Sequence, residues 1–327
     1  MKNILKKLAL LCIPVALYLG FFLAFEPNNY FGLRQASGST QPVARLRAYQ
    51  ADPGRSLILG DSRLAHFDME LAQAVSGREW QNLAFGGASL RETIDLANYV
   101  LDSGSEVDEL VFGLSFYTLN ARYDTDRMSA LEDTLRNPFA YVLNLEYNVN
   151  TLTSFTNWLI WARQRLSSET AMTWAEAQQE SETGNWTDAD YLAPDGSRYA
   201  LHAALAEYPA VITPTCTGWT LNQAMVEQLE ALAARCRAEG VRLTIVLPPM
   251  ADNVLEEVCE PLGIDAQMAA FLPRLHAWED EYGVRVLDYE WEDRPAFDDD
   301  KQFYDGFHLD TVCGLPQWTQ QLFAALA

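Results

Sequence analysis

The chain reads Leu57-Ile58-Leu59-Gly60-Asp61-Ser62-Arg63 at the point that decides its fold, where a short apolar run stops at a Gly-Asp-Ser turn. The apolar run predicts a buried strand, and the helix-compatible residues after Gly60 predict a strand-to-helix turn. Such a turn places the Ser62 hydroxyl beside backbone N–H groups that can hold a developing oxyanion. This is the setting of a nucleophile, although Gly-Asp-Ser is also ordinary turn chemistry.

Strands and helices alternate on either side of the long middle segment of the chain. The pattern predicts strands over 56–60, 80–85, 109–114, 241–247 and 284–287, and helices over 68–75, 90–101, 221–239, 266–282 and 311–325. Asp68 and Ser89 are placed to cap two of these helices, and Gly240 to end a third. The alternation predicts an α/β fold, a three-layer α/β/α sandwich around a central, mostly parallel sheet.

The N-terminus has a different character. Lys2, Lys6 and Lys7 precede residues 8–25, which carry no charge. At about 1.5 Å per helical residue this run approaches the ~30 Å of the bilayer hydrocarbon, and the lysines favour a cytoplasmic N-terminus. We therefore predict a single-pass transmembrane anchor within residues 1–26, with the rest on the cell-surface or periplasmic side. A cleaved signal peptide is the alternative, but no small-x-small cleavage site follows the run.

Three further regions follow the anchor in this interpretation. Residues 27–54 are rich in Asn, Gly, Ser, Gln and Pro and are predicted to be a stalk or lead-in. Residues 55–327 form the α/β domain, with an inserted cap at about 117–219 where the alternation breaks. The cap contains an aromatic segment over 155–161 and a polar stretch over 181–197. Its aromatic side chains either line a sugar-binding groove or pack in a core.

Composition narrows the functional classes. The chain has 327 residues, of which 49% are hydrophobic, so it is long enough to bury a sizeable core. A formal charge of −22 repels polyanions, so we predict no nucleic-acid partner. No metal and no cofactor is predicted, since the acidic run over 298–300 fits a solvated loop better than a calcium site.

Four cysteines lie outside the anchor, at positions Cys216, Cys236, Cys259 and Cys313. Their spacing is not that of a metal site, and in an exported domain they permit disulfides. Three pairings are open. The pairing of Cys216 with Cys236 is the least favoured, because these residues lie near opposite ends of a predicted helix.

The chemistry-bearing residues follow the predicted strands. Turns at Gly60-Asp61-Ser62, Gly86-Gly87 and residues 113–120 come after the first three strands, where ligands of parallel sheets gather. Near the other end, Asp305 precedes His308 by three residues, just before the last helix. This spacing can hold one imidazole nitrogen on a carboxylate while the other faces a nucleophile, as a general base requires. The alternative is that both residues only cap the helix.

In this order the motifs resemble the SGNH (GDSL-like) hydrolase superfamily, over about residues 55–327. The resemblance implies an SGNH or flavodoxin-like fold in which Ser62 is the nucleophile, His308 the base and Asp305 its orienting residue. It also implies that the backbone N–H groups of Ser62 and of Gly86 or Gly87 bind the oxyanion.

The third block of the chain departs from that family pattern. Where the superfamily usually has Gly-x-Asn-Asp, this chain reads Gly113-Leu114-Ser115-Phe116, so Asn120 or Ser115 would have to supply the third oxyanion donor. A missing donor lowers the rate by about 10² to 10³. Arg63 either binds a substrate carboxylate or phosphate, or forms a structural ion pair.

Together with the predicted anchor, the motifs are similar to a narrower set: membrane-tethered SGNH proteins of bacterial cell-envelope modification, such as those of lipoteichoic acid D-alanylation and alginate O-acetylation. That similarity implies a serine esterase or O-acyltransferase acting on acyl esters of a cell-envelope polysaccharide or teichoic-acid-like polymer. It also implies a membrane-bound O-acyltransferase as a partner. Two alternatives stay open: a non-catalytic scaffold for such a partner, and a carbohydrate-binding module.

Overall fold

The computed structural model describes residues 2–33, 39–168, 170–174, 176–177 and 203–327. The chain forms two compact units, a helical unit of residues 1–47 and 129–182 and a sheet unit of residues 48–128 and 183–327. The predicted cap therefore has parts in both units. The predicted polar stretch at 181–197 and residues 34–38 of the predicted stalk lie outside the described residues.

The sheet unit contains five strands in its described part. They are β1 (Ser56–Leu59), β2 (Gln81–Asn82), β3 (Glu109–Gly113), β4 (Arg242–Leu247) and β5 (Arg285–Asp288). All pair in parallel, in the order β2-β1-β3-β4-β5. The prediction of an α/β fold with a parallel central sheet is confirmed.

Helices connect and surround these strands. In chain order they are α1 (Lys2–Phe25), α2 (Pro42–Ala51), α3 (Ser62–Ala65), α4 (Met69–Ser76), α5 (Leu90–Asp102), α6 (Met128–Arg136), α7 (Pro138–Val142), α8 (Leu145–Leu166), α9 (Ala203–Cys216), α10 (Gln223–Glu239), α11 (Asp252–Val254), α12 (Glu260–Leu262), α13 (Ile264–Tyr282), α14 (Asp299–Gln302) and α15 (Gly314–Leu326). A 3₁₀ turn over Phe116–Leu119 and a π-helical turn over Leu255–Cys259 complete the described elements. Within the sheet unit, α4 packs on α15, and α10 packs on α5 and α13.

The helix ends follow the predicted signals. The Asp68 carboxylate accepts hydrogen bonds from two backbone N–H groups at the start of α4. The Ser89 hydroxyl accepts from the Glu92 N–H, and the Glu92 carboxylate accepts from the Ser89 N–H, which makes a capping box on α5. Gly240 ends α10 in the left-handed conformation. These caps place the helices between the strands as the sequence predicted.

The turn after β1 requires glycine. Gly60 has φ +147, and a Cβ there would lie 3.2 Å from the Cα of Gly113 at the end of β3. A side chain at Gly60 would therefore be strained by the backbone conformation and crowded against Gly113. The close approach brings the turns after β1 and β3 together, at the place where the strand order changes direction.

The helical unit is held together by aromatic side chains. The Phe155 ring of α8 lies 5.3 Å from the Phe21 ring and 4.9 Å from the Phe25 ring of α1, and Trp158 lies 5.5 Å from Phe25. The aromatic segment of the predicted cap thus packs on α1, as the core interpretation expects. Among the described residues, none of the helices combines the length and the hydropathy that crossing a bilayer needs.

Part of the predicted lead-in is helical. Residues 42–51 of the predicted stalk form α2, because Val43, Leu46 and Tyr49 share one buried helix face that the polar composition around them concealed. None of the cysteines forms a disulfide. Burial raises the pKa of the Cys216 thiol to about 12 and that of Cys236 to about 11.

Candidate active site

The candidate site lies at the carboxyl ends of the strands in the sheet unit. Ser62 begins α3 directly after the β1 turn, and the Phe85 N–H donates to the Gly60 carbonyl at 3.0 Å, which brings the Gly86-Gly87 turn beside it. β1 lies between β2 and β3, so the connections leave it in opposite directions. In parallel sheets such a switch point opens the crevice where ligands bind.

Three predicted side chains form one hydrogen-bonded row. The Ser62 Oγ lies 2.8 Å from His308 Nε2, and His308 Nδ1 lies 2.8 Å from Asp305 Oδ2. Because an ionised carboxylate only accepts, His308 Nδ1 donates to Asp305, and Nε2 is left to accept from the Ser62 hydroxyl. The His308 and Asp305 side chains are 14% and 13% exposed, so the row is shielded yet reachable. This geometry is that of a nucleophile, a base and an orienting acid.

Asp305 holds the loop before α15 through hydrogen bonds to its backbone. Asp305 Oδ1 accepts from the backbone N–H groups of Phe307 and His308, each at 2.8 Å, while its Oδ2 holds the imidazole. The turn leading into α15 is held instead by Asp310, whose carboxylate accepts from the N–H groups of Val312 and Cys313. The Asp305 carboxylate therefore contacts its own loop and the His308 imidazole, and these contacts do not cap α15.

Asp61 ties the first and third blocks together. Its Oδ1 accepts from the Arg63 N–H at 2.9 Å, which caps α3. Its Oδ2 accepts from the Ser115 and Tyr117 hydroxyls, each at 2.6 Å. Burial, first of all, and the Asp61 charge raise the pKa of Tyr117 well above its ordinary value, so its hydroxyl remains a donor. The third block thus holds the Gly60-Asp61-Ser62 turn in place through Asp61.

Arg63 is buried in an ion pair. Its Nη1 lies 2.5 Å from Glu290 Oε1, and its Nη2 donates to the carbonyls of Pro248 and Pro249 at 2.5 and 2.6 Å. The guanidinium also sits 5.0 Å above the Phe307 ring. Of the two predicted roles for Arg63, these contacts are the structural ion pair. They connect the nucleophile turn to the loops that follow β4 and β5.

The buried Glu290 carboxyl is expected to make the stability of the fold depend on pH. Burial raises the pKa of Glu290 to about 7, against the opposing charge of Arg63. The folded chain therefore keeps a proton there that the unfolded chain releases above its ordinary pKa of 4.5. We expect this group to lower the free energy of unfolding as pH rises from about 4.5 to 7, and Glu290→Gln to remove that contribution. Urea unfolding at pH 5, 6 and 7 measures it, and equal pH slopes in the two proteins would contradict it.

The Gly60-Asp61-Ser62 and Gly86-Gly87 turns present backbone donors. Within the described residues, no hydrogen bond occupies the backbone N–H groups of Ser62, Gly86 or Gly87. The Gly87 carbonyl of this turn accepts hydrogen bonds from the Arg127 guanidinium at 2.8 Å and from the Tyr123 hydroxyl at 3.0 Å. Such N–H groups are those that an oxyanion requires.

Arg127 is itself fixed by a buried acid. Glu92, which is fully buried, lies 2.8 Å from Arg127 Nε. Burial opposes ionisation of this carboxyl, but the hydrogen bonds from Arg127 and from the Ser89 N–H lower the pKa of Glu92. Arg127 thus links Glu92, which belongs to the capping box of α5, to the Gly86-Gly87 turn.

The two side chains predicted as third oxyanion donors are engaged elsewhere. The Asn120 amide donates to the Thr215 carbonyl of α9 at 2.9 Å and accepts from the Arg122 N–H at 3.1 Å. The Ser115 hydroxyl donates to Asp61. The single hydrogen of the Ser115 hydroxyl is therefore taken by Asp61, and one of the two Asn120 amide hydrogens is taken by Thr215.

Sequence reasoning missed an aromatic wall beside the triad. The Phe307 ring stacks on Tyr117 at 5.1 Å and meets Tyr208 edge-on at 5.0 Å. Tyr208 packs so closely on Gly306 that a Cβ there would lie 2.5 Å from its ring, which explains the glycine between Asp305 and His308. The signal available in the sequence was the Gly306-Phe307 pair inside the Asp-x-x-His motif; nothing pointed to Tyr208 or Glu290, which are distant along the chain.

Other surface features lie apart from this chemistry. A cavity of about 380 Å³ opens at the amino ends of the strands, lined among others by Arg55, Asp108 and Gly240. It is at the opposite edge of the sheet from Ser62. Across the described residues, no group of three His, Cys, Asp or Glu side chains is arranged to hold a metal ion. In the acidic run, Asp299 accepts from the Asp252 N–H and Asp298 pairs with Lys301.

No known family model matches this chain, and no curated protein shows significant similarity to it. The geometry of the site is therefore the basis for inferring a function.

Proposed function

We propose that the protein is a serine esterase or O-acyltransferase whose nucleophile is Ser62. The observation that carries this proposal is the row from Ser62 through His308 to Asp305, with both contacts at 2.8 Å. A hydrogen-bonded Ser-His-Asp row at the end of a parallel strand is the recurring arrangement for acyl transfer on unrelated folds.

The reaction proceeds in two halves. The Ser62 Oγ attacks the carbonyl carbon of an ester while His308 Nε2 takes the hydroxyl proton. The tetrahedral intermediate collapses, the C–O bond to the leaving alcohol breaks, and His308 returns the proton to that alcohol. The acyl group is then on Ser62. Water or a polymer hydroxyl attacks this acyl-enzyme with His308 again acting as base, which regenerates Ser62 and releases an acid or a new ester.

In this mechanism, backbone N–H donors stabilise the negative charge on the oxygen of the tetrahedral intermediate. The supporting observation is that the N–H groups of Ser62, Gly86 and Gly87 donate no hydrogen bond to any part of the chain that the structure describes. The Asp305 carboxylate stabilises the imidazolium that forms when His308 accepts the proton. Arg63 and Asp61 act indirectly, by holding the nucleophile turn in place.

Fold, location and substrate are part of the same proposal. The strand order β2-β1-β3-β4-β5 supports a three-layer, SGNH or flavodoxin-like domain. Residues 8–25 attach the chain to the membrane and keep the site on the outer side, where acyl esters of a polysaccharide or teichoic-acid-like polymer are the substrates. A membrane-bound O-acyltransferase is the partner that fits this location.

A fluorophosphonate probe tests the nucleophile directly, because it reacts only with an activated serine. We expect the full-length chain in detergent to be labelled once, and Ser62→Ala to lose labelling by more than about 100-fold. Ser167→Ala is the matched control, since Ser167 is exposed at the end of α8. Labelling that persists in Ser62→Ala, or a folded wild-type chain that does not react, would contradict the proposal and favour the non-catalytic scaffold.

A further inference from the structure

The first helix exposes apolar side chains on every side. All residues from Leu10 to Gly20 are exposed, over about three helical turns, and Leu11 and Leu17 are 75% and 69% exposed. A groove on a protein covers one side of a helix, whereas a helix that is apolar all round needs surroundings that are apolar all round. The hydrocarbon of a lipid bilayer supplies them.

A second apolar surface lies beside that helix in the same unit. Phe139, Leu143 and Leu145, at the junction of α7 and α8, are 75%, 72% and 78% exposed. We call these three residues the apolar patch. Large apolar side chains clustered in this way on a surface mark an interaction site.

The apolar patch is rigidly joined to α1. The Tyr18 hydroxyl of α1 donates to the Val142 carbonyl at 2.6 Å, between the residues of the patch. Further along, the Tyr141 hydroxyl donates to the buried Glu26 carboxylate at 2.7 Å, and the Tyr141 ring meets Phe22 edge-on at 5.5 Å. When α1 enters the bilayer, the apolar patch must therefore move with it.

We propose that the apolar patch is a second membrane contact, seated at the boundary of the bilayer hydrocarbon beside α1. Leu10 lies about 12 Å along the helix axis from Tyr18, close to the ~15 Å of one hydrocarbon leaflet. When the exposed part of α1 is immersed, the patch at the level of Tyr18 reaches the membrane interface. This inference depends on the membrane attachment in the proposed function and assigns it a tertiary surface.

Charge complementarity supports a lipid partner. The only charges in the first 25 residues are Lys2, Lys6 and Lys7, although the whole chain carries −22. Lys2 lies about 24 Å along the helix axis from Tyr18, so the cationic tip of α1 approaches the lipid phosphates of the far leaflet across the ~30 Å of hydrocarbon. Glu146 is exposed beside the patch, so the patch itself binds by burial of apolar area rather than by charge.

The direction of α8 supplies an internal control. Tyr18 contacts Asn148 and Phe25 contacts Trp158, so α8 runs in the same direction as α1. Leu166, at the far end of α8, is 88% exposed but lies about 27 Å further from the bilayer than Asn148. The apolar patch and Leu166 are thus exposed apolar residues near opposite ends of α8.

Site-specific fluorescence tests the inference on the full-length chain. In a Cys12→Ser, Cys313→Ser background, an environment-sensitive fluorophore is attached to Leu143→Cys, Leu166→Cys or Leu11→Cys, since the other cysteines are buried. With phosphatidylcholine vesicles that carry a shallow nitroxide lipid, we expect quenching at positions 11 and 143 to exceed that at 166 at least threefold. Quenching at 11 alone, or at none of the three, would overturn the proposal.

A partition measurement separates the patch from α1. Changing Phe139, Leu143 and Leu145 together to asparagine should weaken vesicle binding about tenfold or more, independently of salt, while Leu166→Asn changes nothing. Concentration-dependent self-association through position 143 without lipid, and no quenching with it, would instead identify a contact between two copies. Fluorophosphonate labelling of Ser62 in the same samples reports the proposed chemistry separately, so failure of one proposal is distinguishable from failure of the other.

Discussion

His308→Ala is expected to lower turnover of a small activated acetyl ester by about 10⁴- to 10⁶-fold. Its imidazole is the group placed at 2.8 Å from the Ser62 hydroxyl, and no other described side chain shares that position. Without it the hydroxyl keeps its proton and is a poor nucleophile. The measurement is the initial rate of ester hydrolysis by the full-length chain at saturating substrate.

The double variant gives a sharper result than either single one. Because Ser62 and His308 act as one unit, Ser62→Ala combined with His308→Ala should be no slower than each alone. His276→Ala is the control, since His276 is half-buried between Glu279 and Glu292 and does not contact the triad. Additive losses in the double variant, or a His308→Ala rate within tenfold of the wild type, would contradict a triad mechanism.

Glu290→Ala is expected to lower the free energy of unfolding by about 3 to 5 kcal/mol. Glu290 is fully buried and the Arg63 side chain is 1% exposed, so removing the carboxylate leaves a guanidinium charge without its partner in the interior. The Phe116 N–H and the Trp291 indole lose the same acceptor. Chemical unfolding at about pH 8.5, where Glu290 is ionised because its pKa is about 7, measures the change.

An exposed pair gives the comparison. Glu132→Ala removes the partner of Arg136 on one face of α6, where the two side chains are 34% and 73% exposed, and it should cost less than about 1 kcal/mol. Arg63→Met with Glu290→Leu should recover part of the loss, limited by the carbonyls of Pro248 and Pro249 that Arg63 also satisfies. Equal effects of Glu290→Ala and Glu132→Ala would contradict a structural role for the buried pair.

The strands and their neighbouring helices could be predicted because their signals are local. Apolar runs marked β1, β3 and β4, and capping residues such as Ser89 and Gly240 marked helix ends. The predicted strand over 80–85 is longer than β2, because only Gln81 and Asn82 pair with β1. The helix that escaped prediction depends on tertiary burial, since α2 forms with its apolar face covered.

The same distinction applies to the candidate site. Ser62, Asp305 and His308 were visible as short motifs, since the nucleophile turn and the Asp-x-x-His spacing are each contained in a few residues. Tyr208 and Glu290 were not visible, because each reaches the site only through the packing of a separate element. Asn120 and Ser115 were candidate donors from sequence order, but their partners, Thr215 and Asp61, are set by the fold.

By itself, the sequence determined the α/β alternation, the glycine at the tight turn after β1 and the residues able to act as nucleophile, base and acid, because strand length, turn conformation and side-chain chemistry are local properties. Tertiary structure alone decided that Ser62 and His308, 246 positions apart, lie 2.8 Å from each other. It also decided that Arg63 is buried against Glu290 rather than exposed to a substrate. The reason is that hydrogen bonds and desolvation act over a few ångströms in space, whatever the separation along the chain.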